Sequence, residues 1–146
     1  MQFRLTYEGL LLGASRNNTR AAHKHQIRQV FHKQLKKLFD VHPAFEALKQ
    51  VTAEGEPKYE HITRRHEQYG YRFFPLATNE LSLSCTVRVL FLRPDLPGHV
   101  ISSGDIDNRM KTIFDALRLP HSEAELGGHV PQEDENPFVV LLEDDN

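Results

Sequence analysis

The chain predicts an α/β or α+β fold, a mixed sheet with two main helices packed on it, and three observations carry that expectation. Apolar residues alternate with polar ones in two segments, recur every three or four positions in two others, and form a run of five close to the end. Alternation is the period of a half-buried strand, and the longer spacing is that of a helix with one apolar face. Their mixed order implies a sheet covered by helices. At 146 residues the chain suits one domain that buries a sizeable core without cross-links.

Phe3, Leu5 and Tyr7 alternate with polar neighbours, so residues 2–8 are expected to form a strand that runs on into Leu10-Leu11-Leu12. Gly13 to Asn18 has loop chemistry. Arg20 to Phe39 is helical by spacing, with Ile27, Val30, Phe31, Leu35 and Leu38 on the apolar face. Lys24, Arg28, Lys33, Lys36 and Lys37 are assigned to the opposite face, as a solvated surface or, with Arg16 and Arg20, as a patch facing DNA phosphates. Pro43 closes this helix, a short second helix is expected over 44–51, and residues 52–70 are read as an exposed connection. The chain turns extended from Tyr71. Residues 81–92 alternate most clearly of all and are expected to form the central strand. Pro94 and Pro97-Gly98 end it, Ile106–Leu117 is the second main helix, residues 120–137 are a loop by composition, and Phe138 to Leu142 make a last strand.

Net charge is −2, against the basic signature of most nucleic-acid binders, but the charge is unevenly spread. Residues 1–75 carry 13 Lys and Arg against 7 Asp and Glu; residues 76–146 carry 5 against 13. One surface that attracts polyanions and another that concentrates carboxylates is what metal-assisted chemistry on a phosphodiester needs, although a basic helix beside acidic loops has the same balance. The single Cys85 excludes an internal disulfide and suits a reducing cytoplasm, and no stretch has the length of a membrane span or the form of a signal peptide.

The chemistry concentrates in Gly104-Asp105-Ile106-Asp107-Asn108-Arg109-Met110-Lys111, a loop expected to run into a helix. Two carboxylates flank an apolar residue expected to face the core. Aspartates at a helix entrance also serve as ordinary caps. Lys111 stands one turn beyond Asp107 on the same face, Asn108 adds a neutral oxygen donor, and the final strand leads into Glu143-Asp144-Asp145. Magnesium accepts one or two carboxylates and fills its remaining positions with water and phosphate.

The thirteen residues Asp105-x-Asp107-Asn108-x-x-Lys111-x-x-Phe114-Asp115-Ala116-Leu117 resemble the signature helix of the RusA-type Holliday-junction resolvases. The resemblance implies a RusA-like fold over 1–146 and cleavage of branched DNA by a Mg²⁺-dependent endonuclease. It also implies a homodimer that places two nicks symmetrically, and roles in recombination and repair. In that reading Asp105, Asp107 and a third acid hold the metal, and Lys111 stabilises the transition state. The third acid follows an apolar strand, which favours Asp145 with Asp144 beside it, while Asn108 orients the ligands. Ser15-Arg16-Asn17-Asn18 resembles the family's polar loop after the first strand. Relative to the family, residues 120–136 are an insertion, residues 40–75 have no counterpart, and at least one strand is expected beyond Asp145, so either the domain is trimmed at its C-terminal end or the third acid is another residue.

Other readings are weaker. His23, His25, His32, His61 and His66 lack the spacing and cysteine partners of a zinc site. Asp-x-Asp also marks nucleotide-sugar transferases, for which the chain is short. The alternative class is a non-catalytic DNA- or protein-binding module with the same fold, its aspartates acting as caps.

Overall fold

Apolar spacing from residue 21 onward produces helix α1, Ala21–Val41, in the computed structural model, which describes residues 1–14, 20–92 and 103–144, the stretch 103–105 in backbone only. Ile27, Phe31, Leu35 and Phe39 recur at one-turn spacing and are all buried. The helix ends at an extended His42 ahead of Pro43, which supplies no N–H to continue it. A 3-10 turn, Pro43–Phe45, leads into α2, Glu46–Lys49. Helix α3, Tyr59–Arg65, lies in the stretch read as an exposed connection; its Ile62 and Thr63 are buried where it packs on the sheet.

The sheet has the order β1 (Glu67–Gln68), β2 (Tyr71–Ala77), β3 (Phe138–Leu142). β1 and β2 form an antiparallel hairpin through Tyr69 and Gly70, both at positive φ (53° and 79°), the turn geometry that matches strand twist. β2 and β3 are parallel, with Phe73 opposite Phe138 and Ala77 opposite Leu142. Both strands are buried along most of their length, as a parallel pair covered on both faces must be. Helix α1 and helix α4, Ser103–Leu117, pack on each other, and both pack on β3.

Two expected strands do not join this sheet. Residues 1–14 contain none: the Thr6 N–H donates to Gln34 Oε1 (2.9 Å) and Gln34 Nε2 donates to the Thr6 carbonyl (2.8 Å), so a side chain of α1 takes the place of a neighbouring strand. Alternation still selects the face, because Phe3, Leu5 and Tyr7 pack against the core. Residues 81–92, expected to be central, are not a strand either. Asn79–Leu81 is a 3-10 turn closed by left-handed Ser82, Cys85 is exposed, and Leu90 and Leu92 are 81% and 85% exposed. The central position goes to β2, whose Tyr71, Phe73, Phe74 and Leu76 fill both faces.

Residues 120–136 are more ordered than their composition suggests. Glu123–Leu126 and Glu133–Glu135 are 3-10 turns, and Glu125, Leu126 and Glu135 are buried. Gly127, at φ 60°, passes so close to α1 that a Cβ there would lie 2.4 Å from Ala22 Cα. Gly127→Ala is therefore expected to cost about 2–4 kcal/mol in chemical denaturation, from backbone overlap on top of left-handed strain. Gly128→Ala, at φ 80° in open space, should cost only about 1 kcal/mol. Among the described residues no helix is long and apolar enough to cross a membrane.

Candidate functional site

Helix α4 starts at Ser103, three residues before its apolar stripe, so Asp105 and Asp107 are its third and fifth residues. Asp107 therefore lies inside the helix and is not its N-cap. Asp107, Asn108 and Lys111 are exposed, and so is Ile106, which does not enter the core. From Thr112 onward the same helix is largely buried. Asp107 and Lys111 stand at i and i+4 with the acid on the N-terminal side, a spacing that favours an ion pair. Among the described residues the two side chains nevertheless form none and have no hydrogen-bond partner. The side chain of Asp105, and the whole of Arg16 and Asp145, lie outside the described residues.

Beside Asn108 the chain Leu12-Gly13-Ala14 is strapped down from both sides. The Ala14 N–H donates to the Asn108 carbonyl (2.8 Å), and Thr112 Oγ1 donates to the Leu12 carbonyl (2.9 Å). From α1, the Leu12 N–H donates to His23 Nε2 (3.2 Å) and the Arg20 guanidinium donates to the Gly13 carbonyl. Burial, with Arg20 nearby, holds the His23 pKa below the ordinary imidazole range, which favours the neutral acceptor form. A Cβ on Gly13 would lie 2.9 Å from Asn108 Cβ, so only glycine permits this approach. None of Gly13, His23 or Thr112 was expected at the site. A glycine opening a polar loop was the one legible signal.

The tail of β3 goes elsewhere. Leu142 bridges to Arg118, one residue past the end of α4, and the Leu119 N–H donates to the Leu142 carbonyl (3.2 Å). Glu143 accepts from Thr78 Oγ1 (2.6 Å) and the Asn79 N–H (3.2 Å), bonds that hold its pKa below the usual carboxylate range. Asp144 Oδ1 lies 3.6 Å from His121 Nε2. Asp107 is eleven residues before Arg118, a rise of about 16 Å along the helix. The structure thus brings Asp107, Asn108 and Lys111 together and sets Asp144 beside the opposite end of α4. Among the described residues no three His, Cys, Asp or Glu side chains are grouped as a metal site.

The basic helix needs correction at two positions. Lys24 and Arg28 do not face solvent: they are 8% and 0% exposed. Lys24 stands three residues after Ala21 and Arg28 three before Phe31, which places them on the buried stripe, whatever their charge. Lys24 Nζ is 3.0 Å from Asp115 Oδ2, and Arg118 Nη2 is 2.9 Å from Asp115 Oδ1. Arg28 Nη2 donates to the Asp115 carbonyl (2.7 Å) and lies 3.6 Å from Glu125. Burial pulls the Arg28 pKa down to about 10. Lys33 and Lys37 remain exposed; Lys36, half-buried, is 3.2 Å from Asp40. With His32, Val41 and Asp134 these residues line an open groove of about 350 Å³.

His25 completes the buried network. Its Nδ1 accepts from Arg28 Nη1 (3.3 Å), leaving Nε2–H to donate to the Tyr71 hydroxyl (3.4 Å). Burial first, then the Arg28 charge and His129, lower its pKa from 6.5 to about 3. Between these values the unfolded chain binds the extra proton. The stabilisation from neutral His25 is therefore complete above about pH 6.5 and is lost as pH falls towards 3. Urea denaturation at pH 7 and pH 4 should show a loss that shrinks by up to about 3 kcal/mol in His25→Gln.

No family model, no curated protein and no solved structure matches the chain.

Proposed function

We propose that the chain is a magnesium-dependent endodeoxyribonuclease that cleaves branched DNA in the manner of the RusA-type resolvases. The observation that carries this reading is the exposed set Asp107, Asn108 and Lys111 on the first half of α4, the acid and the lysine without a side-chain partner among the described residues, in the thirteen-residue pattern that resembles that family's helix. A cap explains Asp107 poorly, because it stands four residues inside the helix. The donor chemistry is compatible with this: carboxylate and amide oxygens suit a hard cation that accepts one or two protein carboxylates and completes its shell with water and phosphate.

Asp105 and Asp107 would hold the ion, with Asn108 orienting them and Asp145, or Asp144 after movement of the β3 tail, as the third acid. Bound magnesium supplies charge that polarises the scissile phosphate and lowers the pKa of an attacking water. The Lys111 ammonium, which has no ion-pair partner among the described residues, would stabilise negative charge on the phosphate oxygens as it develops. Lys33, Lys36 and Lys37 on α1, with Arg20 and Arg16 at its start, would contact the DNA backbone. Lys24 and Arg28 are removed from that role by burial. Two symmetric nicks call for a homodimer, and the single exposed thiol suits a reducing cytoplasm.

A non-catalytic DNA-binding module is the second reading, and the position of Asp144 beside His121 favours it. Incubating the full chain with a labelled four-way junction, in Mg²⁺ and in EDTA, separates the two. Paired nicks in Mg²⁺ alone support the nuclease; a shifted but uncut junction in both supports the module.

A further inference from the structure

The turn that bears Asp107, Asn108 and Lys111 is held partly from outside its own helix, and Thr112, Gly13 and His23, which help to hold it, have no part in the proposed chemistry. In a regular helix the Asn108 carbonyl accepts one N–H from the turn above. Here it also accepts the Ala14 N–H at 2.8 Å, while the one Thr112 hydroxyl proton is donated to the Leu12 carbonyl at 2.9 Å, with the Asn108 carbonyl as the longer alternative at 3.2 Å. The strap cannot back away, since His23 and Arg20 of α1 tie Leu12 and Gly13 from the other side. Nor can it carry a bulkier residue at its middle, given the 2.9 Å approach of Gly13 to Asn108.

We infer that Thr112, Gly13 and His23 are positioning residues for the proposed metal turn, fixing the direction in which Asp107 projects relative to Lys111 by clamping Leu12–Ala14 onto Asn108. The inference rests on the nuclease reading. An exposed helical turn has freedom to fray and rotate, and a carboxylate pair that must meet one ion loses affinity when it does. Partners that orient ligands in this way are typically worth about 10- to 100-fold in metal affinity.

The test uses the full chain with Thr112→Val, which deletes the hydroxyl at nearly constant volume, Thr112→Ser, which restores it, and Gly13→Ala. Two quantities are read: the Mg²⁺ concentration giving half-maximal junction cleavage, and Mg²⁺ affinity by titration calorimetry without DNA. Thr112→Val and Gly13→Ala should weaken both by about 10- to 100-fold, Thr112→Ser should return to within about threefold of wild type, and the KM for junction DNA should stay within about twofold throughout. Circular dichroism confirms folding; should Gly13→Ala fail to fold, the threonine pair carries the test. A folded Thr112→Val that binds and uses Mg²⁺ like wild type overturns the inference and leaves the nuclease reading standing. A wild-type chain that neither binds Mg²⁺ nor cuts overturns the nuclease reading, and the inference with it.

Discussion

Asp115→Ala is expected to lower folding stability by about 3–5 kcal/mol, enough to unfold a large fraction of a marginal domain. The carboxylate bridges Lys24 of α1 at 3.0 Å and Arg118 at 2.9 Å, with both partners almost completely buried. Its removal leaves Lys24, Arg28 and Arg118 together inside the protein with Glu125 as their remaining described carboxylate partner. A buried cation without its partner keeps its desolvation penalty and loses the attraction that offset it, so the loss exceeds that of any surface pair in the molecule. Lys36–Asp40 is such a surface pair, and its disruption should cost well under about 1 kcal/mol. Chemical denaturation of Asp115→Ala and of the double variant Lys24→Met/Asp115→Ala measures the effect. The double variant should regain part of the loss because it removes one of the stranded charges. A single variant as stable as wild type would show that the interior tolerates the imbalance and that Asp115 does not anchor α4 to α1.

Asp107→Asn is expected to reduce Mg²⁺-dependent junction cleavage by at least about 10²-fold while leaving the fold intact. The substitution conserves shape and removes one charge from an exposed position with no described partner, so nothing in the packing opposes it. Thermal melting separates a metal role from a structural one. In the wild type, Mg²⁺ at ten times its dissociation constant should stabilise the folded chain by about 1.4 kcal/mol, and this gain should vanish in the variant. Without Mg²⁺ the variant should be at least as stable, because neighbouring carboxylates repel one another. Cleavage that survives Asp107→Asn would remove the proposed site from the chemistry.

Much of this architecture was legible in advance. Helix α1 and helix α4 follow from apolar residues three and four apart, and β3 from an unbroken apolar run. These are local signals, and each element satisfies its own backbone or is buried on both faces. Residues 2–8 and 81–92 carry an equally clear alternation and form no strand, because alternation states which side chains share a face and says nothing about which chain supplies the hydrogen bonds. For Thr6 that partner is the Gln34 side chain. Lys24 and Arg28 mislead for a related reason: residue type points to solvent while spacing points inward, and spacing prevails once Asp115 and Glu125 arrive to neutralise them.

The sequence by itself determined the two principal helices, a short strand at the end and the spacing that places Asp107, Asn108 and Lys111 close together on one helix, since these depend on periods of a few residues. Only the tertiary structure decided that β2 is central, that Asp115 joins α4 to α1, that Leu12–Ala14 is seated on Asn108 and that Asp144 lies beside His121. Each of these depends on contacts between residues far apart in the chain, where hydrogen bonding and charge neutralisation, not periodicity, select the partner.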